Sequence, residues 1–173
     1  MDSHKLAVEL VALLKSQNKR IATVESCTGG LIAGAITGVT GSSEVFDYGF
    51  VTYSNAAKTT LVGVPEYLLD THGAVSEQVA AAMAEGALLR AGADLALSVT
   101  GIAGPGGGSA EKPVGMVWFG LCTRDPHGKP HSQTRVRQFG DTGRANVRET
   151  SVLFALQWAI DTLKSENPRG TAY

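Results

Sequence analysis

Apolar positions recur along this chain in two rhythms, one helical and one extended. Leu6, Leu10, Val11, Leu13 and Leu14 form a helical stripe within 2–18, with Asp2 or Ser3 as its cap. The β-branched run at 21–24 suits one short buried strand. A helix is expected from Thr28 or Gly29 through Ile36, broken by Gly38 and Gly41. The aromatic and branched run at 45–53 (VFDYGFVTY) predicts a second strand. Cap formers Ser54 and Asn55 open a helix over 54–62, stopped by Gly63 and Pro65, and a helical turn over 65–71 ends at Gly73. Ser76 caps an Ala-rich helix that runs through Ala91 and ends at Gly92. Strands follow at 94–100 and 114–123, then a DPHGKP turn and a fifth strand at 133–139, polar enough for a sheet edge. A last helix over 142–163 carries the stripe Val147, Ser151, Phe154, Ala155, Trp158 and Ala159.

Strands and helices alternate early, and a hairpin is added late. That order predicts an α/β fold, a three-layer α/β/α sandwich around a mixed, mostly parallel sheet. No linker or repeat divides the chain, so one domain is expected over 1–165, with 166–173 as a flexible tail.

Composition works mainly by exclusion. The 173 residues suffice for one domain with a real core. A net charge of −1 leaves no basic face for a nucleic-acid backbone, so no nucleic-acid partner is expected. There is no signal peptide at Met1 and no apolar run of membrane-spanning length, which points to the cytoplasm and away from membranes. In that reducing compartment a Cys27–Cys122 disulfide is disfavoured. His4, His72, His127 and His131 fall at an end or in turns and edges, and no metal-ligand cluster is visible.

Four stretches can carry chemistry. ESCTGGLIAG, from Glu25 to Gly34, places Ser26, Cys27 and Thr28 between a strand and a helix. Ser26 or Thr28 can simply cap that helix, and Cys27 reads as a small buried hydrophobe or, less readily, a nucleophile. Alternatively, backbone N–H groups around Gly29 and Gly30 can receive an anion or oxyanion. In VTYSNAAK, Lys58 lies early in a helix, where a cation opposes the dipole. It is either a solvated surface lysine beside a core tyrosine, Tyr53, or an amine depressed enough to act as a base. The glycine loop TGIAGPGGGSAEKPVG is either a flexible excursion or a pocket wall, with Thr100, Gly101 and Gly104 at its start. In GDTGRANVR, Arg144 and Arg148 share one helix face. They are either neutralised by Asp141 and Glu149 or they form a phosphate cradle.

SCTGG at 26–30, GFVTYSNAAK at 49–58, GAVSE at 73–77, TGIAGPGGG at 100–108 and KPVG at 112–115 together resemble the CinA C-terminal domain family, over roughly Leu6 to Leu163. The stand-alone form of that family implies an amidohydrolase that converts nicotinamide mononucleotide to nicotinic acid mononucleotide and ammonia. The resemblance implies Ser26 as nucleophile, with Lys58 and Tyr53 handling protons. Beside it, the reading of the turn, the glycine loop and the arginine pair gives Thr28, Gly29, Gly30, Thr100, Gly101, Gly104, Arg144 and Arg148 as the expected substrate-binding set. The expected partner is a small pyridine mononucleotide, with no cofactor and no metal, in a homo-oligomer of dimer type. Two departures stand out. The family's Gly-Asp-Arg appears here as GDTGR, with Thr142 and Gly143 interposed, and Gly106 stands where an acidic residue is expected.

Overall fold

The computed structural model describes residues 2–167. Its elements are α1 (Ser3–Ser16), β1 (Ile21–Glu25), α2 (Leu31–Thr37), β2 (Phe46–Val51), α3 (Asn55–Val62), α4 (Glu66–His72), α5 (Glu77–Ala91), β3 (Leu95–Gly101), β4 (Met116–Arg124), β5 (Pro130–Gln138) and α6 (Arg144–Glu166). A single 3-10 turn, Ser42–Glu44, precedes β2. The five strands lie in the order β2-β1-β3-β4-β5. β1 pairs in parallel with both β2 and β3, whereas β3–β4 and β4–β5 are antiparallel. β5 therefore runs the same way as the first three strands, and β4 alone is reversed.

Two apolar clusters show why the sheet is covered on both faces. On one face α1, α2 and α6 pack Leu10, Ile32, Ile36, Leu156 and Trp158 against Ile21, Leu97, Val99 and Phe119. On the other, α5 and the segment around α3 and α4 pack Val62, Val64, Met83 and Leu88 against Ala22, Val24 and Ala96. Each fully buried large side chain contributes about 1.5–3 kcal/mol by leaving water. The expected α/β/α sandwich is the one observed, and β5 lies at the sheet edge as its polarity predicts.

The sequence caps hold where a side chain supplies them. Asp2 accepts the N–H of His4, Ser54 that of Ala57 and Ser76 that of Val79. Gly63 and Gly92 close α3 and α5 in the left-handed conformation. The ends of the strands and the long last helix shift. β2 stops at Val51 instead of Tyr53, β4 and β5 span Met116–Arg124 and Pro130–Gln138, and α6 runs from Arg144 to Glu166. In the last turn of that helix Glu166 pairs with Lys19, with Nζ 2.6 Å from its carboxylate. The tail expected from 166 onward lies outside the described residues beyond 167. Among the described residues, no helix is long and apolar enough to cross a membrane.

Candidate active site

Parallel strands β1 and β3 end side by side, and loops from both converge there. Ser26 follows β1 directly, and its N–H bonds the Val99 carbonyl at 2.9 Å, so the sheet ladder carries on into the turn. The chain then turns sharply. Gly29 and Gly30 have φ of 60° and 102°, conformations that a side chain at Gly30 could not adopt without strain. The helix expected from Thr28 or Gly29 therefore starts only at Leu31.

Neither Ser26 nor Thr28 caps α2. Glu25, buried at the end of β1, does so: one carboxylate oxygen accepts the Ile32 N–H at 2.8 Å and the other the Ala33 N–H at 3.0 Å. At the start of α2, therefore, the protein fills these two N–H groups with its own carboxylate, and they are not the ones around Gly29 and Gly30 expected to receive an anion. An acid closing the apolar run IATV, just ahead of a helix whose start lacks a capping side chain, is the signal for Glu25 that the pattern offered.

Lys58 lies in the first half of α3, where side chains lean back toward the helix N-terminus. Its ammonium is delivered inward, leaving the residue 1% exposed. Nζ donates to the Thr52 carbonyl at 2.8 Å and stands 3.2 Å from Ser26 Oγ. Burial holds this amine below its ordinary value of 10.5, because the charged form loses its hydration. The reading of Lys58 as a solvated surface charge is thus corrected. No ion pair compensates it among the described residues.

Tyr53 is 61% exposed, which corrects its reading as a core residue. Its hydroxyl accepts a bond from Arg144 at 2.7 Å rather than contacting the Lys58 amine. Arg144 also donates to the Gly104 carbonyl at 2.9 Å, tying the glycine loop to the start of α6. Arg148, one turn on, donates from Nε to the Cys27 carbonyl at 3.1 Å and from a terminal nitrogen to the Thr28 carbonyl at 3.3 Å. Neither arginine pairs with Asp141 or Glu149. Arg144 is thus directed at the glycine loop and Arg148 at the SCTGG turn.

These groups line a cleft of about 220 Å³ bounded by Ser26, Cys27, Tyr53, Asn55, Lys58 and Arg144, with Ala74, Val75, Thr100, Gly101 and Ala103 completing the wall. Thr100 donates its hydroxyl to the Ala74 carbonyl, so it braces the wall. Gly101 packs so closely on β4 that a Cβ would stand 2.7 Å from Val117. Thr28, Gly29, Gly30 and Gly104 do not line the cleft. The Gly29 N–H is taken by the Ser26 carbonyl at 3.0 Å, whereas the N–H groups of Cys27, Thr28 and Gly30 bond no described residue. Cys27 is 5% exposed, and burial pushes its thiol up to about 11, the opposite of an activated nucleophile. Larger hollows lie along the glycine loop and between α3, α4 and α5, at about 620 and 430 Å³, but neither brings an amine or imidazole to a hydroxyl. Among the described residues no group of three or more His, Cys, Asp or Glu could hold a metal ion.

Comparison with known proteins agrees with this architecture. The CinA C-terminal domain family matches residues 3–163. The nicotinamide-nucleotide amidohydrolase PncC of Enterobacter agglomerans is 56% identical over 158 residues, covering 91% of this chain and 93% of its own. A putative competence-damage inducible protein of Caldicellulosiruptor bescii is 54% identical over 125 residues, covering 72% of this chain but only 30% of its own. The crystal structure of the competence/damage inducible protein CihA from Agrobacterium tumefaciens superposes with a TM-score of 0.87 at 46% identity, covering 95% of this chain and 96% of that one.

Proposed function

The chain belongs to the CinA C-terminal domain family, and on that footing we propose that it hydrolyses the carboxamide of nicotinamide mononucleotide, releasing ammonia and nicotinic acid mononucleotide. A relative of matching length at 56% identity is named for amidohydrolysis of a nicotinamide nucleotide. The observation that carries the reading is the buried Lys58 amine 3.2 Å from Ser26 Oγ at the floor of a cleft.

The chemistry follows from the protonation state of that amine. Burial favours the neutral form of Lys58, which accepts the Ser26 proton as Oγ attacks the carboxamide carbon. The tetrahedral oxyanion is received by the backbone N–H of Cys27, which borders the cleft beside Ser26, a contact worth roughly 3–4 kcal/mol. The Lys58 ammonium then returns its proton to the departing nitrogen, and ammonia leaves a serine ester of the nicotinic acid moiety. Water, deprotonated by the same amine, attacks the ester and regenerates Ser26. The Thr52 carbonyl holds the amine throughout and fixes its direction. Lys58 is the base in this scheme, because the Tyr53 hydroxyl is engaged by Arg144 at the cleft mouth.

The narrow cleft accepts the pyridine ring, and the ribose and phosphate extend past Tyr53 toward Arg144, the cation that lines it at the mouth. Ammonia release from nicotinamide mononucleotide, measured with a chelator present and Ser26→Ala alongside, tests the proposal. Turnover by the wild type alone supports a serine amidase. No turnover by the wild type while it still binds the nucleotide would reduce the site to a binding pocket.

A further inference from the structure

Arg148 sits beside the site but does not line its cleft. It approaches the 26–30 turn from the α6 side and donates to two successive carbonyls, those of Cys27 and Thr28. In a trans peptide the carbonyl and the following N–H point in opposite directions. A carbonyl of Cys27 drawn toward Arg148 therefore turns the N–H of Thr28 away from it. The next peptide is fixed as well, because the Thr28 carbonyl takes both Arg148 and the Leu31 N–H. The Ser26 carbonyl is held by Gly29, which turns the Cys27 N–H the other way. Two N–H groups beside Ser26 are left without a described partner, and Cys27 itself borders the cleft.

We propose that Arg148 is a positioning residue for an oxyanion hole rather than a phosphate anchor: its fork fixes the Cys27 and Thr28 carbonyls, the Thr28–Gly29 peptide so held presents the Gly29 N–H to the Ser26 carbonyl, and that bond sets the Cys27 N–H, at the cleft wall, to meet the developing oxyanion. This rests on the amidase reading above. The guanidinium suits the task because its nitrogens form a rigid planar array that can hold two acceptors at once, which an ammonium cannot fix in the same way. The charge-assisted bond to the Thr28 carbonyl also polarises its peptide and strengthens the Gly29 N–H that holds the Ser26 carbonyl. Arg144, four residues earlier, contacts the exposed Tyr53 hydroxyl and lines the cleft, so the two arginines have separate tasks.

The test is steady-state kinetics on nicotinamide mononucleotide with wild type, Arg148→Met, Arg148→Lys and Arg144→Met, with melting temperatures measured in parallel. Wild-type ammonia release comes first; its absence marks failure of the amidase reading, independently of any arginine. Given turnover, Arg148→Met is expected to lose roughly 10²–10³ in kcat with KM within about twofold. Arg148→Lys, which can reach one carbonyl but not clamp both, is expected to fall between Arg148→Met and the wild type, and it carries the test if the methionine variant does not fold. Arg144→Met is expected to show the reverse split, a raised KM with kcat largely kept. If an Arg148 variant keeps its kcat, or loses activity only through KM, the positioning role is wrong and Arg148 is a substrate anchor. Loss of kcat in Arg148→Met that Arg148→Lys restores in full also overturns it, since charge alone would then suffice.

Discussion

Lys58 Nζ and Ser26 Oγ stand 3.2 Å apart, although 32 positions separate them in the chain. The contact needs β1 and β2 side by side: β1 delivers Ser26 at its carboxyl end, and β2 leads through Thr52 and Tyr53 into α3, where Lys58 leans back over the strand ends. A lysine placed there is costly to the fold, because its charge loses water with no carboxylate in exchange. Such a cost is typical of groups held for chemistry.

The first prediction removes each partner. Ser26→Ala and Lys58→Met should each lower ammonia release from nicotinamide mononucleotide by about 10³-fold or more, and the double variant should lose little beyond either single one, since the pair acts as a unit. Far-UV circular dichroism should match the wild type. Either single variant retaining more than about a tenth of the activity would exclude this pair as nucleophile and base.

The second prediction concerns pH. Lys58 has a folded pKa below its ordinary 10.5, from desolvation. Activity should therefore rise with pH through that lowered value as the amine becomes neutral, on a pH profile of kcat/KM. Stability moves the same way. In the window between the folded value and 10.5, the unfolded chain binds the proton and the folded chain does not, so stability increases with pH. The cost of burying the ammonium is fully present below the folded value and gone above 10.5. Urea midpoints of Lys58→Met relative to wild type should therefore be more favourable at pH 6 than at pH 10. A pH-independent difference would mean that Lys58 keeps its ordinary proton affinity in the fold.

Much of this was legible because it is local. The helical stripe of α1, the Ser54 and Ser76 caps and the polar β5 edge are set by residues within a few positions of one another, and all appear as read. Residue types at the site were legible too, since hydroxyl, amine and guanidinium stood in unusual places. What the chain did not disclose was which group faces which. Glu25 capping α2 depends on where β1 ends relative to that helix, and Arg148 reaches the Cys27 carbonyl across 121 positions. Lys58 is buried only because α3 packs over the strand ends, a tertiary outcome with no periodic signature. A core position for Tyr53 was one of two readings left open, because aromatic strand residues are usually buried; β2 ends at Val51 on an open sheet edge and leaves Tyr53 exposed.

A third prediction separates Tyr53 from the catalytic pair. Its hydroxyl and Arg144 form one contact at the cleft mouth, 2.7 Å long. Arg144→Met should raise KM for nicotinamide mononucleotide about tenfold, and Tyr53→Phe should raise it less. The double variant should resemble Arg144→Met alone, because both changes break the same contact. Independent, additive effects in the kinetic cycle would show that the hydroxyl acts apart from the guanidinium.

Cys27 gives a fourth prediction. With its thiol raised to about 11 by burial, it stays protonated and unreactive at pH 8. Incubation with iodoacetamide at that pH should leave most of the activity, and mass spectrometry should find Cys27 unmodified. Rapid inactivation in step with alkylation of Cys27 would put a reactive thiol where the structure places a buried one.

The last prediction tests the scaffold that holds Lys58 in place. α5 crosses the end of α3 at Gly86, where an added Cβ would stand 1.8 Å from the Val62 carbonyl oxygen. That contact is with backbone, so no side chain can swing aside to relieve it. Gly86→Ala should push the two helices apart and cost about 1–3 kcal/mol as overpacking, lowering Tm by about 2–4 °C for each kcal/mol in a chain of this size. Because Val62 ends the helix that carries Lys58, kcat should fall as well, beyond what the unfolded fraction explains. Gly106→Ala is the contrast: a Cβ there meets nothing within 4 Å and the backbone is not left-handed. It should shift stability by less than about 1 kcal/mol, toward stabilisation, through the reduced freedom of the unfolded chain. Equal Tm values for the two variants would show that α5 and α3 are not packed at van der Waals contact, and that Lys58 is held by some other restraint.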